Sequence, residues 1–338
     1  MKLSILFAYR NREPQRIKNS LFSLQKQYKS AADFEVVFVD YGSTEDFQKP
    51  IQKVVESFSF ARYNYVAHKG LLWNKSKTLN YAALQARAEF IFVADVDICF
   101  DNYAVNTIHD LANKNKFILF KLSYLKQNIN QEQIQLGNFT NEHIKHHGDI
   151  NGMLLVSKQA FFEVSGYDEF YHFYGSEDVD MCERLKNSGL EKCKNSDTLF
   201  YHQWHPIYNS INDSVLEQSP RFFNIKKINQ QHYFYQKKEN AIHPLLTQKT
   251  SSKVWNKEDE LTETDADQSF SITNDHAKVW HLLNVLLPVL KNRIVCITVK
   301  KDEYFNSTKF KLKKRLKKSD RVPISMKSVN DLILQEIV

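Results

Sequence analysis

Glycine is scarce in this chain, eight in 338 residues. So few glycines cannot support several glycine-rich phosphate loops. Neither G-x-G-x-x-G nor G-x-x-x-x-G-K-[ST] occurs, which sets aside a Walker-type nucleotide enzyme. Cysteine is equally thin. Cys99, Cys182, Cys193 and Cys296 show no C-x-x-C spacing and no disulfide framework, so they read as free thiols in a reducing compartment. No apolar run approaches the roughly 18 residues that span a bilayer, so any membrane contact is expected to be peripheral. Leu3 to Tyr9 is apolar but runs straight into Arg10, Asn11, Arg12 and Glu13 without a small-residue cleavage site, and reads as a first strand, not a signal peptide. The expected location is the cytoplasm, at most the inner face of the membrane. Neither sign of charge dominates: Lys and Arg exceed Asp and Glu by 46 − 39 = 7, which fits anionic substrates or an anionic surface. No nucleic-acid partner is expected.

What the chain does have is apolar material, 42% hydrophobic and 13% aromatic, enough for one large α/β domain and an appendage. The stretch around which it is organised is Glu89 to Phe100, EFIFVADVDICF. Phe90 to Ala94 reads as a strand buried on both faces, ending in Asp95-Val96-Asp97. Ligands of open α/β sheets bind beyond the carboxyl ends of the strands. If the backbone stays extended there, Asp95 and Asp97 point to the same side and can face one hard cation. The alternative is an acidic turn closing a strand.

Lys2 to Ala8 is the first strand, followed by Tyr9-Arg10-Asn11-Arg12, whose two guanidinium forks can hold a diphosphate or simply be solvated. A helix over Gln15 to Gln27 and a strand over Phe34 to Val39 come next. At the end of that strand Asp40 can accept the imide hydrogen of uracil and Tyr41 offers a face for stacking; a plain turn at Gly42-Ser43 is the alternative. Val54 to Phe60 reads as part of a second covering helix and Tyr63 to Val66 as a third strand. A loop from His68 feeds a helix whose first turn carries Asn74, Lys75 and Lys77, a suitable place for phosphate. The alternation predicts a doubly wound nucleotide-binding half. After a helix around Tyr103 to Leu111 and a strand over Phe117 to Tyr124, the polar stretch Lys126 to His147 reads as a mobile loop, with a metal site at His143, His146 and His147 as the alternative.

Gly148 to Val156 leads into a helix start at Ser157. In Gly166 to Leu185, aromatics crowd the approach to Glu177, Asp178 and Asp180 at the start of a helix. Carboxylates there can cap the helix or, beside aromatic rings, bind and deprotonate sugar hydroxyls. Thr198 to Tyr201 is a last short strand before His202-Gln203-Trp204-His205, where a histidine is either structural or a metal ligand.

Together these stretches resemble an inverting, metal-dependent glycosyltransferase of the GT-A fold, similar to the β-1,4-galactosyltransferase group and to bacterial chondroitin-synthase and family 2 transferases. Tyr9-Arg10-Asn11-Arg12 resembles F-R-N-R, and Val39-Asp40-Tyr41-Gly42-Ser43-Thr44 the D-D-G-S-T turn whose first acid contacts uracil. Asn74 to Asn80 resembles N-R-A-K-L-L-N, and Asp95-Val96-Asp97 the D-V-D metal motif. Gly152 to Phe161 resembles G-x-x-x-x-S-K-x-x-F, Gly175 to Asp180 the G-G-E-D-D-D acid pair, and Tyr201-His202-Gln203 the Y-H-Q that supplies a metal histidine. The resemblance covers residues 3 to 210. It departs from the family at Tyr171-His172-Phe173-Tyr174, which stands for W-G-W-G, and at Asn151 in place of a glycine.

The resemblance implies a UDP-sugar donor, with galactose or N-acetylgalactosamine favoured, a saccharide or lipid-linked saccharide acceptor, and a role in bacterial surface polysaccharide synthesis. It implies Mn²⁺ or Mg²⁺ on Asp97, Asp95 and His202, with Ala8, Tyr9, Arg10, Arg12, Asp40, Tyr41, Lys77, Asn80, Asp95, Val96 and Gly152 around the nucleotide-sugar. Asp178 is the implied general base, with Glu177 on sugar hydroxyls. Competing readings are a non-catalytic carbohydrate-binding or scaffolding protein on the same fold, and a sugar nucleotidyltransferase, whose lysine-bearing glycine loop is missing. The expected organisation is a transferase domain over 1–215, a polar and aromatic extension with an acidic linker over 216–270, and a small α/β region over 271–338. In the last region, Val279 to Leu290 reads as a helix, Arg293 to Val299 as a strand and Asp331 to Val338 as a further short element. The basic run Lys309 to Lys318 is either a solvated charge run or a peripheral membrane or polyanion contact.

Overall fold

Alternation on the central strands decides the layering. In β1 (Leu3–Tyr9) and β2 (Phe34–Tyr41) every residue but Ala8 is buried, so neighbouring residues serve opposite faces: Phe7 and Phe38 enter one core, Leu6 and Val37 the other. The computed structural model describes residues 2–28, 34–66, 73–205 and 225–244, with short stretches between 267 and 308. The chain divides into two compact units, Met1–Ser210 with His232–Asp259, and Ile211–Gln231 with Glu260–Val338.

The first unit alternates strands and helices. After β1 come α1 (Pro14–Tyr28), β2, α2 (Glu45–Glu56), β3 (Ala61–Val66), α3 (Lys75–Gln85), β4 (Phe90–Ala94), β5 (Ile98–Phe100) and α4 (Ala104–Leu111). Then follow β6 (Lys116–Leu125), α5 (Gln131–Leu136), β7 (Ile144–Ser157), α6 (Lys158–Glu163), α7 (Glu177–Asn187), β8 (Glu191–Asn195), β9 (Phe200–His202) and α8 (Ile225–Lys238), the last straddling both units. The sheet runs β3-β2-β1-β4-β7-β6-β9-β5, with β8 also on β6. β1 lies parallel to β2 and β4. β7 is antiparallel to β4 and β6, and β6 is parallel to β9. The carboxyl ends of β1, β2, β4, β6 and β9 therefore share one edge.

One face is a phenylalanine core, in which Phe92 stacks on Phe200 at 5.3 Å and meets Phe120 edge-on at 5.4 Å; α1, α2 and α4 cover it. Each ring buried this way contributes about 1.5–3 kcal/mol. Ser23 of α1 accepts the Phe100 N–H at 2.9 Å, which locks that helix to β5. Leu79, Ala82 and Ala83 of α3 cover the other face with Phe161, Met181 and Leu185.

The structure corrects several expectations. α2 stops at Glu56, where the Ser57 N–H donates to the Val54 carbonyl and the Phe58 N–H to the Val55 carbonyl, so Phe58 and Phe60 pack from a turn and not from a helix. The histidine stretch is not a loop: His146 and His147 lie on β7 opposite Tyr124 and Ser123. His146 stacks on Tyr124 at 4.4 Å and His147 Nδ1 is 2.8 Å from the Ser123 hydroxyl, while His143 caps a short 3-10 turn, so the three do not form a metal cluster. The strand expected over Thr198 to Tyr201 runs over Phe200–His202, the last of the unit among the described residues. Inside the expected polar extension, α8 is a helix, and its residues from His232 onward belong to the first unit.

In the second unit β10 (Gln268–Thr273) pairs in parallel with β11 (Val295–Lys300), Ile272 opposite Val299. Of the helix expected over Val279 to Leu290, the described part is a π-helical turn, Leu282–Leu286. Lys309 to Lys318, Asp331 to Val338 and the loop from His68 to Leu72 lie outside the described residues.

Candidate active site

The shared edge of carboxyl ends gathers the acids. β4 ends at Ala94 and the chain turns at once, Ile98 N–H donating to the Asp95 carbonyl, before β5 begins. This turn breaks the extended geometry that was to put Asp95 and Asp97 on one side. The two carboxylates part: Asp95 takes an ion pair from Lys75 Nζ at 2.5 Å, whereas Asp97 turns to the histidines. Asp97 Oδ2 lies 3.1 Å from His205 Nε2 and Oδ1 lies 3.6 Å from His202 Nε2. Ligand atoms of Asp97, His202 and His205 all fall within 4.8 Å of one another. Asp95, expected beside Asp97 and His202, is not in this cluster, and His205 is. The signal was present in the sequence as His202-x-x-His205 directly after a strand.

Position on β9 explains the histidines. His202 pairs with Ile98 across the antiparallel β5–β9 ladder, one residue beyond Asp97, and the Gln203 N–H donates to the Asp97 carbonyl at 3.1 Å. Asp97 is almost fully buried. Burial works to raise its pKa, but His202 and His205, with Arg16 behind them, outweigh that and hold the carboxyl well below the usual range. Its Oδ1 has no hydrogen-bond partner among the described residues, an uncommon state for a buried carboxylate oxygen. Tyr124 stands 5.0 Å from the His202 ring, its phenol pushed up to about 12 by burial and by Asp95, Tyr174 and Asp97.

Lys75 joins the two acidic stretches. Burial disfavours its charge, but Asp95, Glu177 and Asp178 more than compensate and raise its pKa. It sits in the first turn of α3, placed by Asn74, whose side chain caps the helix through the Lys77 N–H at 2.8 Å. Glu177 and Asp178 open α7. Burial raises the Glu177 pKa; Lys75 opposes this and Asp178 adds to it, while Glu177 accepts the Gly175 N–H at 3.0 Å. Asp178 accepts its neighbour Val179 N–H at 2.8 Å.

The loop before these acids is held from beneath. Arg184, 1% exposed, donates to Asp180 at 2.8 Å and, through Nη1, to the carbonyls of Val164 and Gly166, both at 2.7 Å. Asp168 accepts from His232 and Gln236 of α8, both at 2.7 Å, and His232 stacks on Phe170 at 3.8 Å. The Asp168 carboxyl is depressed: burial works against this, and the His232 charge and hydrogen bond prevail. Asn80, expected near the nucleotide, is fully buried and uses its amide on the Tyr167 N–H and C=O and on Glu169, so it braces this loop instead.

The other expected nucleotide residues line the same edge. Tyr9 is buried against Phe38 and donates to the Arg12 carbonyl at 2.7 Å. The Ala8–Arg12 exit is tied to the β2 turn by Asn11, which donates to Ser43 Oγ and accepts from Thr44 N–H. Asp40 is fully buried, and burial raises its pKa against the pull of Ser43, Tyr63 and Arg10. It accepts from Ser43 N–H at 3.0 Å and Tyr63 Oη at 2.8 Å, so the turn and the candidate acceptor are one object. Tyr41 is 1% exposed, edge-on to Trp73 at 5.7 Å, and does not present an open stacking face. Lys77 is buried in α3, Val96 lies in the β4–β5 turn, and Gly152 lies on β7 two residues before Leu154, which pairs with Val93.

Residues 4–169 match the model of glycosyl transferase family 2, and residues 138–205 match that of the N-terminal domain of galactosyltransferase. The two matched models together run over residues 4–205, the part of the chain that holds the sheet and the acid-histidine edge, and that part is similar to the glycosyltransferases. The likeness to family 2 lies over residues 4–169, and Glu177, Asp178, His202 and His205 lie in the stretch that is similar to the galactosyltransferase domain. Neither model extends past residue 205.

Three solved structures illustrate the range of similar chains. S. aureus TarS 1-349 in complex with UDP is 19% identical with a TM-score of 0.46, covering 61% of this chain and 61% of its own. The mannosyltransferase PcManGT from Pyrobaculum calidifontis, in complex with GDP-Man and Mn²⁺, is 14% identical with a TM-score of 0.45, covering 71% and 64%. The catalytic domain of Drosophila beta1,4galactosyltransferase 7, in complex with xylobiose, is 17% identical with a TM-score of 0.43, covering 68% and 79%. The chain thus spans about three fifths of the TarS chain it matches. No curated protein sequence matches it. No helix among the described residues is long and apolar enough to cross a membrane.

Proposed function

We propose that the protein transfers a sugar, galactose or N-acetylgalactosamine by preference, from a UDP-sugar to a hydroxyl of a saccharide or lipid-linked saccharide, with inversion, in bacterial surface polysaccharide synthesis. The observations that carry this reading are the Asp97–His202–His205 cluster and the Lys75 group with Asp95, Glu177 and Asp178, Tyr124 lying within electrostatic reach of both Asp95 and Asp97. The cluster fits a divalent ion, because a buried Asp97 oxygen with no hydrogen-bond partner among the described residues and two imidazole nitrogens are a donor set suited to Mn²⁺ ahead of Ca²⁺. Asp97, His202 and His205 would hold Mn²⁺ or Mg²⁺, which would supply positive charge for the diphosphate.

The chain's own groups do the remaining work. Arg10, Arg12 and Lys77 add cationic donors for the diphosphate, and uracil meets the Asp40 turn, the Tyr41 ring being covered by Trp73. Asp178 takes the proton of the acceptor hydroxyl as its oxygen attacks the anomeric carbon from the face opposite UDP, a single displacement that inverts the centre. Glu177, its pKa raised by burial, hydrogen-bonds sugar hydroxyls, and Lys75 keeps the crowded carboxylates from repelling one another.

The test is calorimetric titration of UDP and a panel of UDP-sugars with Mn²⁺ and then with EDTA. Tight binding of one UDP-sugar that EDTA abolishes is expected; no binding of any uridine nucleotide rejects the reading. Asp178→Asn is expected to retain UDP binding and lose transfer by roughly a hundredfold or more. Near-full turnover would reassign the base.

A further inference from the structure

A cavity of about 250 Å³ opens beside the Asp97 centre, lined by the start of α1, the β6–α5 connection, and Gln203 and Trp204, the two residues between His202 and His205. Its floor is a lattice of carboxamides. Asn19 donates to Gln203 Oε1 at 2.8 Å and exchanges hydrogen bonds with Gln131, and Gln203 Nε2 donates to the carbonyls of Arg16 at 2.9 Å and Asp97 at 3.1 Å. Gln203 is 2% exposed, so this floor is rigid and tied to the backbone of the proposed metal ligand. On the rim stand Trp204, 38% exposed, and Gln127, also exposed. The charges of Glu13 and Arg16 meet at 3.3 Å and offset one another.

We propose that this cavity is a saccharide subsite holding a sugar residue other than the one transferred, with Trp204 as its platform. A sugar ring presents C–H groups on one face, which cover an indole, and hydroxyls at its edge that both donate and accept, as carboxamides do. With the floor amides bonded to one another, the exposed Gln127 amide on the rim is left to meet such hydroxyls, and a diphosphate would find a single cation, Lys126, beyond the mutually offset Glu13–Arg16 pair. The choice of a saccharide rests on the transferase reading; the existence of a site rests on the cavity alone.

The experiment is saturation-transfer-difference NMR of lactose, cellobiose and N,N′-diacetylchitobiose with the full chain, Mn²⁺ and UDP, alongside a UDP titration of each variant. At least one saccharide is expected to give a signal on the wild type. Trp204→Ala should weaken its binding roughly fivefold, the usual worth of an aromatic contact, and Gln127→Ala about twofold. UDP affinity of Gln127→Ala should stay unchanged. Saccharide binding undiminished in both variants, or no signal from any of the three, overturns the subsite. Loss of UDP binding in the wild type instead strikes the transferase reading and leaves the cavity assignment to be judged on the saccharide signals.

Discussion

Removing the Arg184 guanidinium is the sharpest test of how the acidic loop is held. Arg184→Met keeps the aliphatic bulk but leaves the buried Asp180 carboxylate without its cation and the Val164 and Gly166 carbonyls without a donor. Breaking a buried pair from one side costs about 3–5 kcal/mol. At roughly 2–4 °C per kcal/mol for a domain of this size, Tm should fall by about 6–20 °C. The loss should depend on pH in a definite sense. Burial already raises the Asp180 pKa against the pull of Arg184, so without the cation its folded value rises further above the unfolded one. A carboxyl shifted that way destabilises the fold when ionised, and the penalty fades as pH falls through the folded value. Urea denaturation of wild type and variant from pH 7 to pH 5 should therefore show the gap narrowing. The double variant Asp180→Asn/Arg184→Met, with neither charge, should recover most of the difference. A single-variant loss below about 1 kcal/mol, or a gap that widens towards acid, refutes the argument.

Three further outcomes follow from the geometry. His205→Ala and His202→Ala should each weaken Mn²⁺ binding by at least about tenfold by calorimetry, whereas Asp95→Asn should change it far less. Gly166→Ala should cost roughly 1–3 kcal/mol in urea denaturation, because φ is +67° there and the new Cβ would stand 2.5 Å from Asn80 Oδ1. Asp168→Asn should flatten the acid side of the stability profile. The depressed Asp168 carboxyl contributes stability above the ordinary value of 3.8 that is lost as pH falls below it, and the variant has none to lose.

The strands were legible because burial on both faces writes itself as an uninterrupted apolar run, as in Phe34 to Val39 and Phe90 to Ala94. The acids and His202 were legible as residue types beyond strand ends. Their partners were not, because pairing is decided by local turns: the turn at Asp95 splits two carboxylates that an extended backbone would have joined. Lys75 looked like a phosphate ligand on its helix, and only the fold brings Glu177 and Asp95 to it. α8 escaped notice for a different reason. The residues it sends beneath the loop, His232 and Gln236, are polar, since what they meet is the Asp168 carboxylate, and hydrophobic periodicity does not register such a face. His146 and His147 likewise read as loop because β7 begins on an exposed, polar margin of the sheet.

The ladder that sets His202 beside Ile98 has a consequence for folding. An ion held by Asp97 and His202 is a cross-link between points 202 − 97 = 105 residues apart in the chain. In the chain-entropy model, closing a loop of that length with a covalent bridge removes about 4.7 kcal/mol of freedom from the unfolded ensemble. A coordinate clip acts in the same direction for as long as the ion stays bound. The metal content of a preparation would then decide how firmly β5 and β9 are fastened to each other, before any substrate arrives.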